Sequence, residues 1–408
     1  MIFAQENSRV IPKEDKTFAL SARAKKAIAE KGKENVINAI VGALLDDKGD
    51  LCVMKVVEDE LRNLPATDYF EYAPIKGIPA FREAVKKDLF RDYVSKRFVE
   101  VIASPGGTGT IRNSIANYSQ RGDTVLTSDW YWAPYNSLCQ EQERKLETFA
   151  FFNEAGEFNI EGLSSKIFDI CDRQGRLVIL LNTPSHNPTG YTLSDPDWDS
   201  LIAVLNDERL KGSKIALVVD IAYIDFAGDL SVSRGFLPKL DQLNDNVLAL
   251  IGYSASKSFA AYGTRTGALV CMAPTEEIAE EFVKVAEFSS RNTWSNCNHS
   301  GQAMVANIVL DDKKLAMIDE ERRAFRDMLL RRGHVFEAEA KALGLNVVPF
   351  KSGFFCCIAC DNADQVSAAL EEKGVFVLPL KMGVRVSIAS ISEEKCIAAA
   401  RAIREVIK

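Results

Sequence analysis

The chain has 408 residues, 47% of them apolar and 26% charged, which excludes a disordered chain and leaves room for about two or three domains. Lys and Arg number 50 against 57 Asp and Glu, a net charge of −7, which argues against a general binder of nucleic acid or of anionic membranes. No apolar run approaches the roughly 18 residues of a membrane helix. The opening MIFAQENSRVIPKEDK also lacks a signal peptide's apolar core, so a cytoplasmic protein is expected.

The N-terminal forty-odd residues show no strong period and are expected to pack on the C-terminal part of the chain. From about residue 100 to 272, short apolar runs alternate with amphipathic segments. The runs are VEVIAS (99–104), TVLTS (124–128), LETFAF (146–151), LVILLN (177–182), IALVVD (215–220), VLALIGYS (247–254) and GALVCM (267–272). Several are rich in Val, Ile and Leu with little polar alternation, which predicts strands buried on both faces of a mostly parallel, seven-stranded sheet. Between them, Ile111 to Gln120 and Pro196 to Leu205 carry helical patterns, the second with Asp195 as N-cap and Pro196 as its first residue. Together they predict a three-layer α/β/α domain.

After Asp311 a long charged stretch, DDKKLAMIDEERRAFRDMLLRRGHVFEAEAKALG, predicts a long helix interrupted near Gly333. LNVVPF, GFFCCIAC, VFVLPL and VRVSIAS follow as strands, with helices from Ala363 to Glu372 and from Glu393 onward. This is a second, smaller α+β unit. The expected division is an N-terminal segment 1–50, a large domain 51–315 and a small domain 316–408.

Nine scattered Cys do not make a disulfide scaffold. Cys357 and Cys360 have a suggestive spacing, but no second CxxC or paired His completes a zinc site, and the only His are His186, His299 and His334. Both thiols are read as part of a buried strand on opposite faces, and no metal is expected.

Four motifs carry possible chemistry. SPGGTGTIR (104–112) sits between a strand and a helix, where free N–H groups could cradle a phosphate or simply form a tight turn. NTPSHNPTG (182–190) follows a strand and has the composition of a turn. Asp220 ends a strand, where open α/β sheets bind ligands, and Tyr223 follows it; an isolated Asp there also serves as a helix cap. In GYSASKSFAAYGTRTGA (252–268), Lys257 follows a buried strand among small residues. It is either an imine-forming amine or a snorkelling surface residue. Arg265 beyond it could bind a phosphate together with Ser254 and Ser256.

Taken as an ordered set, these motifs resemble the fold-type I pyridoxal 5′-phosphate (PLP) enzymes. More narrowly, the chain resembles the class I aminotransferases of the aspartate and aromatic group, from about Gly42 to Arg385. Further pieces match in order: GALLDDKGD (42–50), YAPIKGIPAFREAV (72–85), TSDWYWAPY (127–135), SRNTWSN (290–296), GFF (353–355) and VRVSIAS (384–390). The resemblance implies that Lys257 attaches PLP and moves the substrate α-proton, and that Asp220 pairs with the pyridine nitrogen. It implies that Asn187 and Tyr223 bond the ring's 3′ oxygen and that Trp132 stacks on the ring. Gly107, Thr108, Ser254, Ser256 and Arg265 then hold the phosphate, with Tyr72 supplied by the second subunit of a homodimer. The substrate α-carboxylate goes to Arg385, beside Asn187 and the backbone of Gly42, and Phe355 and Trp132 border the substrate pocket. Arg291 reaches across the dimer to a second carboxylate, and Phe18 and Leu20 belong to a mobile flap.

Two departures stand out. Tyr135 and Asn182 occupy positions where the aspartate enzymes carry His, whereas His186 keeps its place beside the NPTG Asn. The implied activity is transfer of an amino group from aspartate or an aromatic amino acid to 2-oxoglutarate by a ping-pong mechanism. Two alternatives share the fold: a carbon–sulfur β-lyase, which needs no second carboxylate clamp, and a non-catalytic PLP-fold binding protein. Against the latter, Lys257, Asp220 and Arg385 are all present, and no room is expected before Gly42 for a DNA-binding domain.

Overall fold

A computed structural model describes residues 16–407. Residues 1–15, which bear most of the signal-peptide reading, lie outside them. The chain divides into two units. One comprises 53–184 and 193–322; the other combines the described residues up to Cys52 with 185–192 and those from Arg323 onward. Residues 185–192 therefore depart from the division expected from sequence.

The large unit is built on a seven-stranded sheet. Its strands lie in the order Phe98–Ser104, Gly267–Ala273, Val247–Ser254, Lys214–Asp220, Arg176–Asn182, Thr124–Ser128 and Lys145–Phe149. Gly267–Ala273 runs antiparallel to both neighbours, and the remaining pairs are parallel. The central strands are buried on both faces, as their unbroken Val, Ile and Leu runs require. Ile111 and Ile115, from the helix Gly106–Tyr118, pack on Val178, Leu180, Ala216, Val218 and Leu250 of the sheet. Ser104, Asn182, Asp220 and Ser254 end their strands and put polar groups where ligands bind such sheets.

Two helix starts differ from the sequence reading. The first helix begins at Gly106 rather than Ile111. The second runs Asp195–Leu205 with Ser194 as N-cap, accepting from Asp197 N while the Asp197 side chain accepts from Ser194 N. Asp195 is thus the first helical residue rather than the cap. Pro196 is harmless in the first turn, where N–H groups have no partner inside the helix.

The small unit holds a four-stranded sheet in the order Ile37–Ala39, Val375–Leu380, Gly383–Ser387 and Phe355–Ala359; the first pair is parallel and the others antiparallel. Helix Lys16–Lys31 joins it by packing Leu20 and Ala24 with Val36, Ile40 and Phe376. LNVVPF forms no strand beyond a single bridge between Val347 and Ile358. VRVSIAS stops pairing at Ser387 and turns through a 3₁₀ segment at Ile388–Ser390. The helix Asp312–Ala342 is unbroken at Gly333, where a Cβ would stand 2.3 Å from the Phe350 ring. Glycine there serves close packing rather than a helix stop. Cys357 is buried in its strand, and Cys360 lies just past the strand end. All nine cysteines are free thiols.

Candidate active site

In the large unit, the chain leaves strand Val247–Ser254 into a short helix, Ala255–Ser258, that carries Lys257. Ser254 caps it, its hydroxyl accepting from Ser256 N. Lys257 Nζ stands 4.8 Å from the centre of the Tyr262 ring and 5.9 Å from that of Tyr223. Tyr262 was not singled out from sequence; its place a few residues beyond the lysine was the available signal. Arg265, held at φ 51°, donates to Ser256 Oγ at 3.1 Å and to the Tyr262 carbonyl.

The Arg265 guanidinium reaches the N-terminus of helix Gly106–Tyr118. A Cβ at Gly106, where φ is 70°, would lie 2.6 Å from Arg265 Nη2. A Cβ at Gly107 would lie 3.5 Å from that of Ser254. Gly107, Ser254, Ser256 and Arg265 therefore gather at the helix start that also carries Thr108, bringing together backbone N–H groups, two serine hydroxyls and a cation. That donor set matches a phosphate dianion. The glycines cost helix propensity, which is why the periodic pattern hid the first turn of this helix, and they admit the guanidinium.

Asp220 ends the strand Lys214–Asp220 and is buried. Tyr135 donates to Asp220 Oδ2 at 2.7 Å, and Ala222 N to Oδ1 at 3.2 Å. The Asn182 side chain donates to the backbone carbonyl of Asp220 at 2.9 Å. Burial pushes the Asp220 carboxyl above its ordinary pKa; the Tyr135 and Ala222 bonds and the charge of Lys257 offset only part of that. Such a carboxylate is suited to a cationic N–H partner, as a protonated pyridine would be. Burial and the neighbouring carboxylate push the Tyr135 hydroxyl well above its usual range, so it stays a neutral donor. The Tyr135 ring meets Trp132 edge-on, with centroids 5.6 Å apart. Tyr223 is buried next to the Asp220 turn. The residues of this unit thus fit a phosphorylated pyridine that Lys257 could bind covalently.

The small unit assembles a second group. Arg385 is buried and donates from Nη1 to Asn187 Oδ1 at 2.9 Å and from Nη2 to the Ile40 carbonyl at 2.8 Å. Its guanidinium carbon lies 4.1 Å from the centre of the Phe355 ring. A Cβ at Gly42 would meet the same ring at 2.6 Å. Gly42, Asn187, Phe355 and Arg385 are therefore together. His186 Nδ1 is 2.8 Å from Thr189 Oγ1, so it supports the turn that presents Asn187.

Tyr72 and Arg291 are exposed on the large unit, Tyr72 at 89%. Arg291 donates to Ser295 Oγ at 2.6 Å. Phe70 and Phe288 on the same unit are also exposed, at 87% and 71%. Leu20 is buried in the small unit and Phe18 is exposed. Among the described residues, no cluster of His, Cys, Asp and Glu could hold a metal, and no helix is long and apolar enough to cross a membrane.

A family model described as aminotransferase class I and II matches residues 34–403. The aspartate aminotransferase of Pseudomonas aeruginosa is 25% identical over 91% of this chain and 92% of its own length. The aromatic-amino-acid aminotransferase of Paracoccus denitrificans is 26% identical over 92% and 93%. Among solved structures, an aminotransferase from Anaerococcus prevotii is 36% identical over the whole of both chains, with a TM-score of 0.97. An aromatic-amino-acid aminotransferase from Burkholderia pseudomallei, covalently bound to pyridoxal phosphate, shares the fold with a TM-score of 0.82 at 21% identity over both chains.

Proposed function

Because the chain belongs to the class I and II aminotransferases, we propose that it moves the amino group of aspartate or an aromatic L-amino acid to 2-oxoglutarate, using PLP in two half-reactions. The observation that carries this reading is the donor set around Lys257: Gly107, Ser256 and Arg265 for a phosphate, and the buried Asp220 for a ring nitrogen. Bound PLP supplies an electron sink for negative charge at the substrate α-carbon.

The residues do the rest. Lys257 Nζ would hold the cofactor and, as a free amine, would take the proton from the substrate α-carbon. A tethered amine can deliver that proton to a nearby carbon without diffusion. Asp220 would keep the ring nitrogen protonated, with Tyr135 holding one carboxylate oxygen so that the other faces that task. Tyr223 would donate to the ring's 3′ oxygen, a role the family pattern also gives to Asn187. Trp132 would cover one ring face. Arg385 grips the α-carboxylate through its planar fork, and Asn187 fixes the rotation of that fork.

In this reading the enzyme is a homodimer in which Tyr72 and Arg291 serve the neighbouring copy. Their exposure, with that of Phe70 and Phe288, supports such a surface. Arg291 then binds the second carboxylate of 2-oxoglutarate. The nine free thiols support a reducing, cytoplasmic setting.

The test is a single-turnover screen of aspartate, glutamate, tyrosine and phenylalanine on the PLP form, followed by absorbance, in wild type and Arg291→Ala. Fast aspartate and glutamate that lose most of their rate in the variant identify a dicarboxylate enzyme. Aromatic donors that survive the change identify an aromatic one. Rapid pyruvate release from a cysteine conjugate with no acceptor present would overturn the transferase reading in favour of a β-lyase.

A further inference from the structure

Beneath the Lys257 segment, in the large unit, lies a cluster of six charged residues. Arg322 is 3% exposed and Asp88 is 0% exposed. Arg322 donates from Nη1 and Nη2 to the two Asp88 oxygens at 3.0 and 3.2 Å, and from Nη1 to Asp319 at 3.1 Å. Arg91 bonds both Asp319 oxygens and Asp88 Oδ1, at 2.8 to 2.9 Å. Arg234 bonds Asp225 Oδ1 at 2.7 Å and the Asp88 carbonyl at 3.2 Å. Three arginines face three aspartates, so the cluster is neutral, as burial demands.

Two of its contacts reach the site. Arg322 Nε donates to the backbone carbonyl of Ser258, the residue after Lys257, at 2.9 Å. The same Nε stands 3.5 Å from Asp225 Oδ2, in the 3₁₀ turn directly after Tyr223. The guanidinium also lies 4.7 Å over the Phe259 ring. Tyr253, one residue before the Ser254 cap, donates to Asp88 Oδ2 at 2.8 Å. One side chain therefore ties together the two short segments that present Lys257 and Tyr223. Both segments are helical turns of only three or four residues, with few backbone bonds of their own to fix their position.

We propose that Arg322 is a positioning residue for Lys257: its bond to the Ser258 carbonyl, braced by Asp88 and Asp225, sets where the lysine amine stands relative to Tyr223. The inference rests on the reading of Lys257 as the cofactor lysine. A cation alone would satisfy the aspartates. The directed Nε–H to Ser258, together with a two-pronged grip on Asp88, needs arginine's fork.

The test uses the PLP-loaded protein and three readouts: the pH midpoint of the bound cofactor's absorbance, the split between kcat and KM, and the urea midpoint. Arg322→Lys keeps the charge and loses the fork. It is expected to move the absorbance midpoint by about half a pH unit or more. It should also lower kcat by about tenfold to a hundredfold, with KM for the amino donor within about threefold. Asp319→Asn removes a carboxylate that touches neither segment, so it is expected to lower the urea midpoint without moving the absorbance midpoint. If Arg322→Lys does not fold, Asp225→Asn takes its place, with a shift in the absorbance midpoint expected. A urea midpoint that falls while absorbance midpoint and kcat stay at wild-type values overturns the inference. So does an Asp319→Asn shift as large as that of Arg322→Lys. If borohydride fixes no PLP to Lys257 in the wild type, the reading under Proposed function fails first; if it does, only the role of Arg322 is at stake.

Discussion

The hydroxyl of Tyr135 donates to Asp220 Oδ2 across 2.7 Å, and both groups are buried. A phenol in this place differs in kind from an imidazole. Its proton stays on at any pH the protein meets, because burial and the Asp220 charge both resist its loss. It orients the carboxylate without adding a positive charge.

Tyr135→Phe is therefore expected to weaken cofactor retention by about tenfold to a hundredfold, the usual worth of a hydrogen bond to a charged group. Equilibrium dialysis of PLP measures it. Unchanged retention would mean that the Ala222 N–H and the Asn182 contact suffice to orient Asp220.

A pH effect follows from the burial of Asp220. Its carboxyl titrates higher in the folded protein than in the unfolded chain. Its contribution to stability in the cofactor-free protein is thus fully present below the ordinary carboxylate pKa and is lost as pH rises through the raised value. Asp220→Asn is expected to make the cofactor-free protein more resistant to urea at neutral pH, while removing transaminase activity. Urea melts of both proteins across the acid range check it; curves that stay parallel from acid to neutral pH would sink the idea.

At Gly106 the start of the helix comes close to the Arg265 guanidinium. Gly106→Ala places a methyl 2.6 Å from Arg265 Nη2 at a φ of 70°, so the arginine must move. PLP affinity is expected to fall by about tenfold or more, while pyridoxal, which lacks the phosphate, binds as before. Parallel titrations with the two compounds separate a phosphate effect from a general loosening.

Arg385→Lys retains a cation and loses the fork that reaches Asn187 and the Ile40 carbonyl. KM for amino donors is expected to rise by about tenfold to a hundredfold, with the PLP absorbance unchanged. Steady-state kinetics with two donors test this; an altered absorbance would point to damage on the cofactor side instead.

The central strands of the large sheet were legible because burial on both faces writes nearly continuous Val, Ile and Leu runs into the chain. Lys257, Asp220 and Arg385 were legible only as members of an ordered set. What escaped did so for physical reasons. Glycines at 106, 107 and 109 silence the helical period where the first turn is made. The Ser194–Asp197 capping box was visible as a four-residue pattern, but the proline inside it drew the start one residue late. Gly333 resembles a helix stop until Phe350 is seen against it. The Asp88, Asp225, Arg234 and Arg322 cluster left no trace, because charges far apart in sequence look like ordinary surface until folding buries them together.

The pair that would recognise the carboxylate joins residues 198 positions apart in sequence. A growing chain completes every proposed phosphate donor by Arg265, and the whole large unit by Arg322. Asn187, made long before, waits for Arg385 in the last strand of the described residues. In the proposed site, synthesis therefore delivers the phosphate donors early and the α-carboxylate grip last, and a message cut short after residue 322 would lack Arg385 altogether.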